Sequence, residues 1–560
     1  MSNHPKKRRP DVGLGALKSL LAGLKAALTA TLLALLSTTA SAQTFDGSFE
    51  SGNLQSVSSL GPDRYAVTLR PDSSSTQRQW FYFSVRGAAG RTLTFELTPF
   101  DIASPWASGM TPCVTRDPDD PAAWGRVPAA QTAWSAGRLT FAYTFADDAP
   151  VWFAYSFAYT ATRAAALVSE IEGSPFATRR TIGHSLQGRA LEVLEVTEGP
   201  RNDKVGVWVQ ARQHPAECGS SWTCEAFLRW LIGDSASARA LREHAVVQVL
   251  PMVNPDGVAL GNYRTNFAGL DLNRQWNVAS LAVSPEVYLV QQELAALEAT
   301  HGLELFLDLH THSSELKNWV FGESGSAQFD QRERGYAQAI EAEFSDFSFA
   351  LSSFANGTTG AVAKTRVHQL YPDALTYTQE QTYHTLTYGP NVGAPITVAR
   401  YEEMGVALGE AFVTFNAWSP SWETYCAPKV NSLGCTAGLF ASGAPTFSGP
   451  DDFTVHATNV LSNSLGIYFW GAAPESSPLL GGLLCVRPPL IRTTAAMSGG
   501  SGPGLDCSGA YAFHWSQAKF FGAGLFPGAR VHGQFWARDA MHPDGTGVSL
   551  TAGIAFTVQP

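Results

Sequence analysis

The segment ARQHPAECGSSW, at residues 211–222, contains a histidine and a glutamate three positions apart, His214 and Glu217. Histidine and carboxylate side chains both bind zinc, and a catalytic zinc takes three protein ligands and leaves its fourth position to water. With 13 histidines and 48 acidic residues in the chain, about one such pair is expected by chance. The pair therefore predicts a metal site only if a third ligand lies elsewhere.

The segment LDLHTHS, at 307–313, offers that third ligand at the end of an apolar run. Because side chains alternate between the two faces of a strand, His310 and His312 lie on the same face. The spacing alone therefore does not choose between these two histidines.

Two further charged residues could complete a hydrolytic site around a metal. A zinc-bound water has its pKa lowered towards about 7, and a nearby carboxylate can accept its proton as the water attacks an amide. Glu380, in the segment TYTQE, is a candidate for that carboxylate. The oxyanion that develops on the substrate needs a cation besides the metal, and Arg264 in the segment NYR could supply it.

The segment DLNRQW, at 271–276, places an amide beside an arginine. A planar guanidinium forms paired hydrogen bonds with a carboxylate. Asn273 and Arg274 could therefore recognise a free carboxylate on a substrate.

These residues fall in the middle of the chain, where strand and helix patterns alternate. Apolar segments such as KVGVWVQAR, VVQVLPMVNP and LELFLDLH alternate with segments whose apolar residues recur every three or four positions. This alternation predicts an α/β catalytic domain with a largely buried central sheet, over residues 164–420.

Both flanking regions are predicted to be rich in strands. Residues 43–163 contain short β-branched and aromatic segments separated by Pro, Gly and Asp clusters, which is typical of a small β-sandwich. Residues 425–560 lose the helical pattern and contain strand-like pieces among Gly, Ser, Pro and Thr, which predicts a second β-sandwich-like module.

Residues 1–42 are typical of a secretory signal peptide. A basic stretch at 6–9 precedes an uncharged apolar run, and Ala40-Ser41-Ala42 supplies small residues at the cleavage-site spacing, which places the mature start at Gln43. The 11-residue run at 26–36 is shorter than the roughly 20 residues of a membrane-spanning helix. We therefore predict export with cleavage, to the periplasm, cell surface or medium, and no membrane span after signal removal.

Charge and cysteine content agree with an exported protein that does not bind nucleic acid. Removal of residues 1–42 takes away six basic residues and one acidic residue, so the formal net charge changes from −10 to −15. An acidic protein is a poor partner for nucleic acid or anionic lipid. An even number of cysteines in the last quarter of an exported chain predicts two disulfides there. These cysteines are Cys426, Cys435, Cys485 and Cys507. The spacing of Cys218 and Cys224 leaves open whether they pair or are free.

The segments HPAE, NPDG…NYR, DLNRQW, DLHTHS and YTQE, in this order, resemble the M14 family of zinc metallocarboxypeptidases. The nearest branch is the cytosolic-carboxypeptidase-like group, which also has a β-sandwich before its catalytic domain. The matching motifs fall within residues 160–418. Residues 43–160 resemble the branch only in their arrangement, as a predicted β-sandwich before the catalytic domain. It implies a mixed central sheet and one zinc per chain. Residues 425–560 resemble a cysteine-containing β module at the C-termini of exported bacterial proteins, which implies location and fold class but no activity.

The resemblance also implies a role for each matching residue. The implied zinc ligands are His214, Glu217 and His310, with Asp271 as the hydrogen-bond partner of a zinc-binding histidine. The other implied roles are catalytic glutamate for Glu380, polarisation of the scissile carbonyl for Arg264, and carboxylate binding for Asn273 and Arg274. The chain departs from the branch at Ala216, where glycine is usual. The family's mobile tyrosine has no matching position, and the candidates are Tyr383 and Tyr371.

The resemblance further implies a preference for the terminal residue. In the related branch a basic residue sixteen positions before the catalytic glutamate faces an acidic substrate side chain, and Lys364 occupies that position here. If this segment is a strand, Arg366 lies on the same face. A cation in a partly dry pocket favours Glu or Asp and repels Lys or Arg. The alternative is that both are ordinary surface cations.

We therefore predict an exported zinc carboxypeptidase that removes single residues from the C-termini of peptides or proteins. One alternative keeps the zinc but acts on peptidoglycan stem peptides. A second is a non-catalytic surface-binding protein on a peptidase scaffold, and the complete set of ligands, carboxylate and arginines counts against it. The sequence predicts no particular oligomeric state.

Overall fold

The computed structural model describes residues 1–2, 43–312, 318–386, 389–418, 421–502 and 505–559. The predicted signal peptide lies outside the described residues apart from its first two positions.

The N-terminal region folds as two β-sheets that share one core. Phe95 and Phe141 from one sheet meet Phe153 from the other, with ring centroids 5.0–5.3 Å apart. The aromatic residues at alternating positions thus face inward, as a sandwich requires. The strand orders are β1-β4-β10-β6-β7 and β2-β3-β5-β9-β8. The strands are β1 (Thr44–Asp46), β2 (Ser56–Gly61), β3 (Arg64–Thr68), β4 (Tyr82–Arg86), β5 (Thr92–Thr98), β6 (Cys113–Thr115), β7 (Gly125–Arg126), β8 (Thr132–Ser135), β9 (Arg138–Thr144) and β10 (Val151–Ala154), with one short helix, α1 (Ser104–Ala107).

The central region contains an eight-stranded mixed sheet in the order β11-β12-β14-β13-β15-β18-β16-β17. The four strands in the middle of this order run parallel to one another, and so do β16 and β17. The other neighbouring pairs are antiparallel, namely β11-β12, β12-β14 and β18-β16. Strand β13 is almost wholly buried, because helices cover both faces of its parallel neighbourhood. The strands are β11 (Ala177–His184), β12 (Ala190–Val196), β13 (Val205–Ala211), β14 (Ala245–Leu250), β15 (Leu303–His312), β16 (Trp319–Gly322), β17 (Ser353–Phe354) and β18 (Leu375–Thr382). The predicted α/β fold with a mixed sheet is confirmed.

Eight helices of the described central region accompany this sheet. Gly405 allows one of them, α9, to approach the backbone of α3, because a Cβ at this position would collide with the carbonyl of Thr223. The helices are α2 (Ala161–Glu172), α3 (Cys218–Leu231), α4 (Ala236–His244), α5 (Pro255–Leu260), α6 (Pro285–His301), α7 (Ala327–Glu343), α8 (Ala363–Leu370) and α9 (Val398–Phe415). Among the described residues, none of the helices combines the length and the apolar character that a membrane crossing needs.

The C-terminal region is rich in strands, as predicted. Its largest sheet has the order β19-β30-β28-β22-β25, with β26 beside β22 and β29 beside β28, and two smaller sheets are β20-β21-β27 and β23-β24. The elements are β19 (Trp422–Tyr425), β20 (Gly438–Ser442), β21 (Thr454–Val460), β22 (Leu465–Gly471), β23 (Pro474–Leu479), β24 (Gly482–Val486), β25 (Ile491–Arg492), β26 (Ala496–Met497), β27 (Gly509–His514), α10 (Gln517–Gly522), β28 (Arg530–Arg538), β29 (Val548–Leu550) and β30 (Gly553–Thr557). Strand β19 pairs with β30, so Trp422–Tyr425 share a sheet with the region predicted as 425–560.

Two disulfides cross-link the C-terminal region, Cys426–Cys485 and Cys435–Cys507. The expectation of two disulfides among these four cysteines is confirmed. Cys218 and Cys224 are buried free thiols, as is Cys113.

Candidate active site

The candidate residues converge at one edge of the central sheet. Strands β13, β15 and β18 are parallel neighbours, so their C-terminal ends meet at the same edge. His214 follows the end of β13, and His310 lies near the end of β15. Glu380 in β18 is the register partner of His310.

His214, Glu217 and His310 form a compact group of possible metal ligands. Their ligand atoms all lie within 4.8 Å of one another. The Nδ1 atoms of His214 and His310 lie 2.7 and 2.8 Å from the two carboxylate oxygens of Glu217. Glu217 directly precedes helix α3 and does not use its side chain to cap it, so the carboxylate is available to the two histidines.

A carboxylate orients each histidine of this group. The Nε2 atom of His214 lies 2.9 Å from Asp271 Oδ1, and that of His310 lies 2.9 Å from Asp308 Oδ2. A histidine that donates one N–H to a carboxylate presents its other nitrogen to a metal. Two imidazole nitrogens and one carboxylate match the donor set of catalytic zinc, so the residues present fit this ion.

Mutual attraction sets the charges of this group. Burial alone would lower the pKa of His310, but Asp308 and Glu217 outweigh this effect and raise it well above its usual value. For Glu217 the effects are reversed: burial alone would raise its pKa, but the two histidines hold it well below its usual range. The carboxylate of Glu217 is therefore ionised, which is the form that could bind a metal.

Glu380 has a carboxyl group that can take up a proton. Its Oε2 atom is shielded from solvent and has no hydrogen-bond partner. Burial raises the pKa of Glu380 to about 8, against the lowering effect of His310. A carboxyl group whose pKa lies near neutrality is suited to general acid–base catalysis.

Asp271 links Arg264 to the histidine group. The Nε atom of Arg264 donates to Asp271 Oδ2 at 2.7 Å, while the other oxygen of Asp271 faces His214. Burial would raise the pKa of Asp271, but the charges of His214 and Arg264 lower it strongly. Asp271 is therefore an ionised bridge that fixes the guanidinium of Arg264 beside the ligands.

Asn273 and Arg274 lie in the short 3-10 turn Leu272–Arg274. The Oδ1 atom of Asn273 accepts a hydrogen bond from the backbone N–H of Ala363 at 2.8 Å. Arg274 is exposed, and one of its terminal nitrogens donates to the carbonyl of Asn273 at 2.6 Å. An amide and a solvent-facing guanidinium thus lie side by side at the rim of the site.

Comparison with known proteins identifies the family. Residues 171–394 match the family described as zinc carboxypeptidase, and residues 45–156 match the cytosolic carboxypeptidase N-terminal domain. Cytosolic carboxypeptidase 6 of Mus musculus is 30% identical over 402 residues, which are 66% of this chain and 73% of that protein. The chain belongs to the M14 family of zinc carboxypeptidases.

Solved structures of zinc carboxypeptidases agree with this assignment. A metallo-carboxypeptidase from Burkholderia cenocepacia has a TM-score of 0.62 and 25% identity, covering 67% of this chain and 99% of that one. One from Pseudomonas aeruginosa, solved in complex with (2-guanidinoethylmercapto)succinic acid, has a TM-score of 0.61 and 30% identity over the same shares. The M14 chain is therefore a zinc-dependent metallocarboxypeptidase, which acts on peptide C-termini.

The segment that contains Lys364 is helical in this M14 chain, whereas a shared face with Arg366 would need a strand. Residues Ala363–Leu370 form helix α8, not a strand, so Lys364 and Arg366 are about 200° apart around the helix axis. The ammonium of Lys364 is buried and forms an ion pair with Glu323. It also donates to the carbonyls of Gly322 and Ala355, at 3.0 and 3.3 Å. Lys364 is therefore not a free pocket cation.

Asp308, the carboxylate that orients His310, was not among the site residues predicted from the sequence. Asp308 is fully buried and also accepts hydrogen bonds from Gln210 and Gln213, at 3.0 and 2.5 Å. The signal was present in DLH, because residues two apart in a strand share a face. An acidic residue at that position could have been predicted as the partner of His310.

The two tyrosine candidates lie in different places. Tyr383 is buried, and the charge of Glu217 contributes to raising its pKa, after burial itself. Tyr371 follows the C-terminal end of α8. Of the two, Tyr383 is therefore the candidate whose pKa responds to the charge of Glu217. Ala216 is fully buried, and its N–H donates to the carbonyl of Tyr263 at 3.0 Å.

Proposed function

We propose that Glu380 is the proton acceptor of this zinc carboxypeptidase and that three side chains hold the metal: His214, Glu217 and His310. The observation that carries the proposal is the register of β15 and β18, in which Glu380 is the partner of His310. Zinc held there would supply Lewis-acid activation of a water and of the scissile carbonyl. Glu380 would take the proton of the attacking water and pass it to the leaving amine.

The remaining site residues would bind the substrate. The guanidinium of Arg264, fixed through Nε by Asp271, would donate its other N–H groups to the oxyanion that develops on the scissile carbonyl. Asn273 and Arg274 would bind the terminal carboxylate, since an amide and a guanidinium supply several donors to its two oxygens. Cleavage would thus be confined to the last peptide bond.

The decisive experiment replaces Glu380 by Gln in purified residues 43–560 supplied with zinc. The variant should bind one zinc and retain peptide affinity, yet kcat should fall at least about 100-fold, because an amide cannot accept the proton. Product masses from a mixed peptide library report loss of single C-terminal residues. The exposed Glu343 of α7 provides the matched Glu→Gln control, which should keep wild-type turnover. Near-normal turnover in Glu380→Gln would remove Glu380 from the mechanism.

We also propose that the protein is exported. The two disulfides support this, because such cross-links persist in oxidising compartments and are rare in the cytosol. The curated relatives are named cytosolic carboxypeptidases, so the proposal rests on features of this chain, namely its disulfides and residues 1–42. Expression of the full chain in bacteria, followed by N-terminal sequencing of the extracytoplasmic protein, should give a start at Gln43. Retention in the cytoplasm with residues 1–42 attached would contradict export.

We also propose that the enzyme releases acidic terminal residues faster than others, and we expect the difference in rate to be small. Lys364 directly follows Ala363, whose backbone N–H donates to Asn273, so the backbone of Lys364 lies near the proposed carboxylate site. Glu323 pairs with the ammonium of Lys364. A substrate carboxylate would therefore have to compete with Glu323 for the charge of Lys364.

Substitutions on either side of this ion pair test the preference. The rate of release of terminal Glu relative to terminal Leu should exceed one in the wild type and decrease in Lys364→Ala. The same ratio should increase in Glu323→Gln, which removes the competing carboxylate while keeping a similar side-chain shape. Faster release of aromatic or basic termini by the wild type would show that Lys364 does not set the preference.

A further inference from the structure

The loop that carries Arg264 is held by a residue outside the catalytic domain. Asp72 lies between β3 and β4 of the N-terminal sandwich and is 3% exposed. Its carboxylate accepts hydrogen bonds from three consecutive backbone N–H groups of the loop. These belong to Tyr263, Arg264 and Thr265, at 2.6, 2.8 and 3.0 Å. The hydroxyl of Thr265 adds a fourth hydrogen bond, at 3.2 Å.

Neighbouring residues of the sandwich shape the same loop. The N–H of Ser73 donates to Asn262 Oδ1 at 3.0 Å, and the amide of Asn262 in turn donates to the carbonyl of Thr265 at 2.9 Å. Gly269, with φ of +80°, packs against the carbonyl of Ser74 so closely that a Cβ would collide with it. The loop therefore takes its shape from the sandwich surface, not from its own sequence alone.

Arg264 is consequently fixed at two points by two carboxylates. Asp72 holds its backbone N–H, and Asp271 holds its side-chain Nε. Hydrogen bonds from N–H groups to an ionised carboxylate are about twice as strong as neutral ones. Loss of Asp72 would leave three N–H groups of the loop without their acceptor, and the backbone that carries Arg264 would relax.

We propose that Asp72 is a positioning residue for Arg264, so that the N-terminal sandwich completes the active site of the catalytic domain. The inference rests on the proposed role of Arg264 at the scissile carbonyl. Displacement of a positioned catalytic group by about 1 Å can cost on the order of 100-fold in rate. A purely structural contact between domains would affect folding instead and leave the turnover of each folded molecule unchanged.

A double-mutant cycle separates these two roles. Asp72→Ala, Arg264→Ala and the double variant are prepared as full-length zinc-loaded protein, and kcat and KM are measured per bound zinc. We expect Asp72→Ala to lower kcat/KM by about 100-fold, mostly through kcat. Asp72→Asn, which keeps one acceptor oxygen, should lie between it and the wild type. In the Arg264→Ala background, Asp72→Ala should cause little further loss, because residues that act together are not additive.

Glu96→Ala is the matched control for a buried carboxylate of the same sandwich. Glu96 is also 3% exposed, but it forms ion pairs with Arg64 and Arg138 rather than with the Arg264 loop. This variant should have a lower melting temperature, with kcat per bound zinc unchanged. If Asp72→Ala does not fold, the cycle with Asp72→Asn decides the question.

Three outcomes overturn the inference. Wild-type kcat/KM in the Asp72 variants, alongside a severely impaired Arg264→Ala, would refute the positioning role and leave the proposed function intact. Full additivity in the cycle would likewise show that Asp72 does not act through Arg264. Normal turnover in Arg264→Ala would instead refute the proposed role of Arg264, and with it the inference.

Discussion

Replacement of Asp308 by Asn tests the orientation of His310, the proposed third metal ligand. Asp308 Oδ2 faces both His310 Nε2 and Gln213 Nε2, while its Oδ1 accepts from Gln210 Nε2 at 3.0 Å. An Asn side chain has one acceptor oxygen, which should replace Oδ2 because two donors meet there. Its NH2 group would then face the NH2 group of Gln210. The variant therefore keeps a neutral acceptor for His310 but loses the negative charge.

This geometry sets the expected magnitude. Removal of a carboxylate that orients a metal-binding histidine typically weakens metal affinity by 10–100-fold, or about 1.4–2.8 kcal/mol. Asp308→Asn should lie near tenfold, because one acceptor remains, and Asp308→Ala near 100-fold, because none does. Zinc dissociation constants from competition with a fluorescent chelator measure both effects.

A distant buried aspartate provides the control for this measurement. Asp539 of the C-terminal module is 1% exposed and accepts the backbone N–H of Ser432 at 2.7 Å. Asp539→Asn should leave zinc affinity unchanged. If both Asp308 variants also bind zinc as the wild type does, His310 does not depend on Asp308 for its orientation, and the reasoning fails.

Three further predictions concern the ligand choice, substrate recognition and a buried carboxyl group. His310→Ala should lose zinc, measured by metal analysis, whereas His312→Ala should retain it; the reverse would mean that His312 is the ligand. Arg274→Ala should reduce the discrimination between free-acid and amidated peptides in kcat/KM by about tenfold or more, through lost charge-assisted hydrogen bonds, and unchanged discrimination would contradict its role. Burial raises the pKa of Glu333 from 4.5 to about 8, so the folded protein keeps a proton that the unfolded chain has lost, and stability falls as pH rises from 4.5 through 8. Glu333→Gln should remove this loss, on the order of 1 kcal/mol per pH unit, and equal pH slopes of the unfolding free energy would refute the assignment.

Local patterns predicted the elements that carry the site. The apolar runs at 204–212 and 303–310 correspond to β13 and β15, because a central parallel strand is buried on both faces. The segment GAVAKTRVHQL contains helix α8, although its Val and Thr residues are common in strands. Tertiary contacts outweigh that preference: Asn273 holds the N–H of Ala363, and α8 packs against β15 and β18.

Contacts between distant parts of the chain could not be predicted from local sequence. Asp72 lies in the segment RPDSSST, which is typical of a loop and contains no catalytic pattern. Its partners Tyr263–Thr265 follow 191–193 residues later. Similarly, the ion pair of Lys364 with Glu323 joins residues 41 positions apart. The sequence motifs predicted the chemistry, but the folded chain determines which charges remain available to a substrate.

The position of the disulfides has a practical consequence for handling the enzyme. Both lie in the C-terminal module and span 59 and 72 residues, and in the chain-entropy account each contributes about 4 kcal/mol. Among the described residues, by contrast, the cysteines of the catalytic domain, Cys218 and Cys224, are free thiols. Production in a reducing host should therefore give an active peptidase whose tail is open to trimming by added protease. Production in an oxidising compartment should give a chain whose tail resists the same protease. The redox conditions of production would therefore determine whether the C-terminal module is retained, while the peptidase activity stays the same.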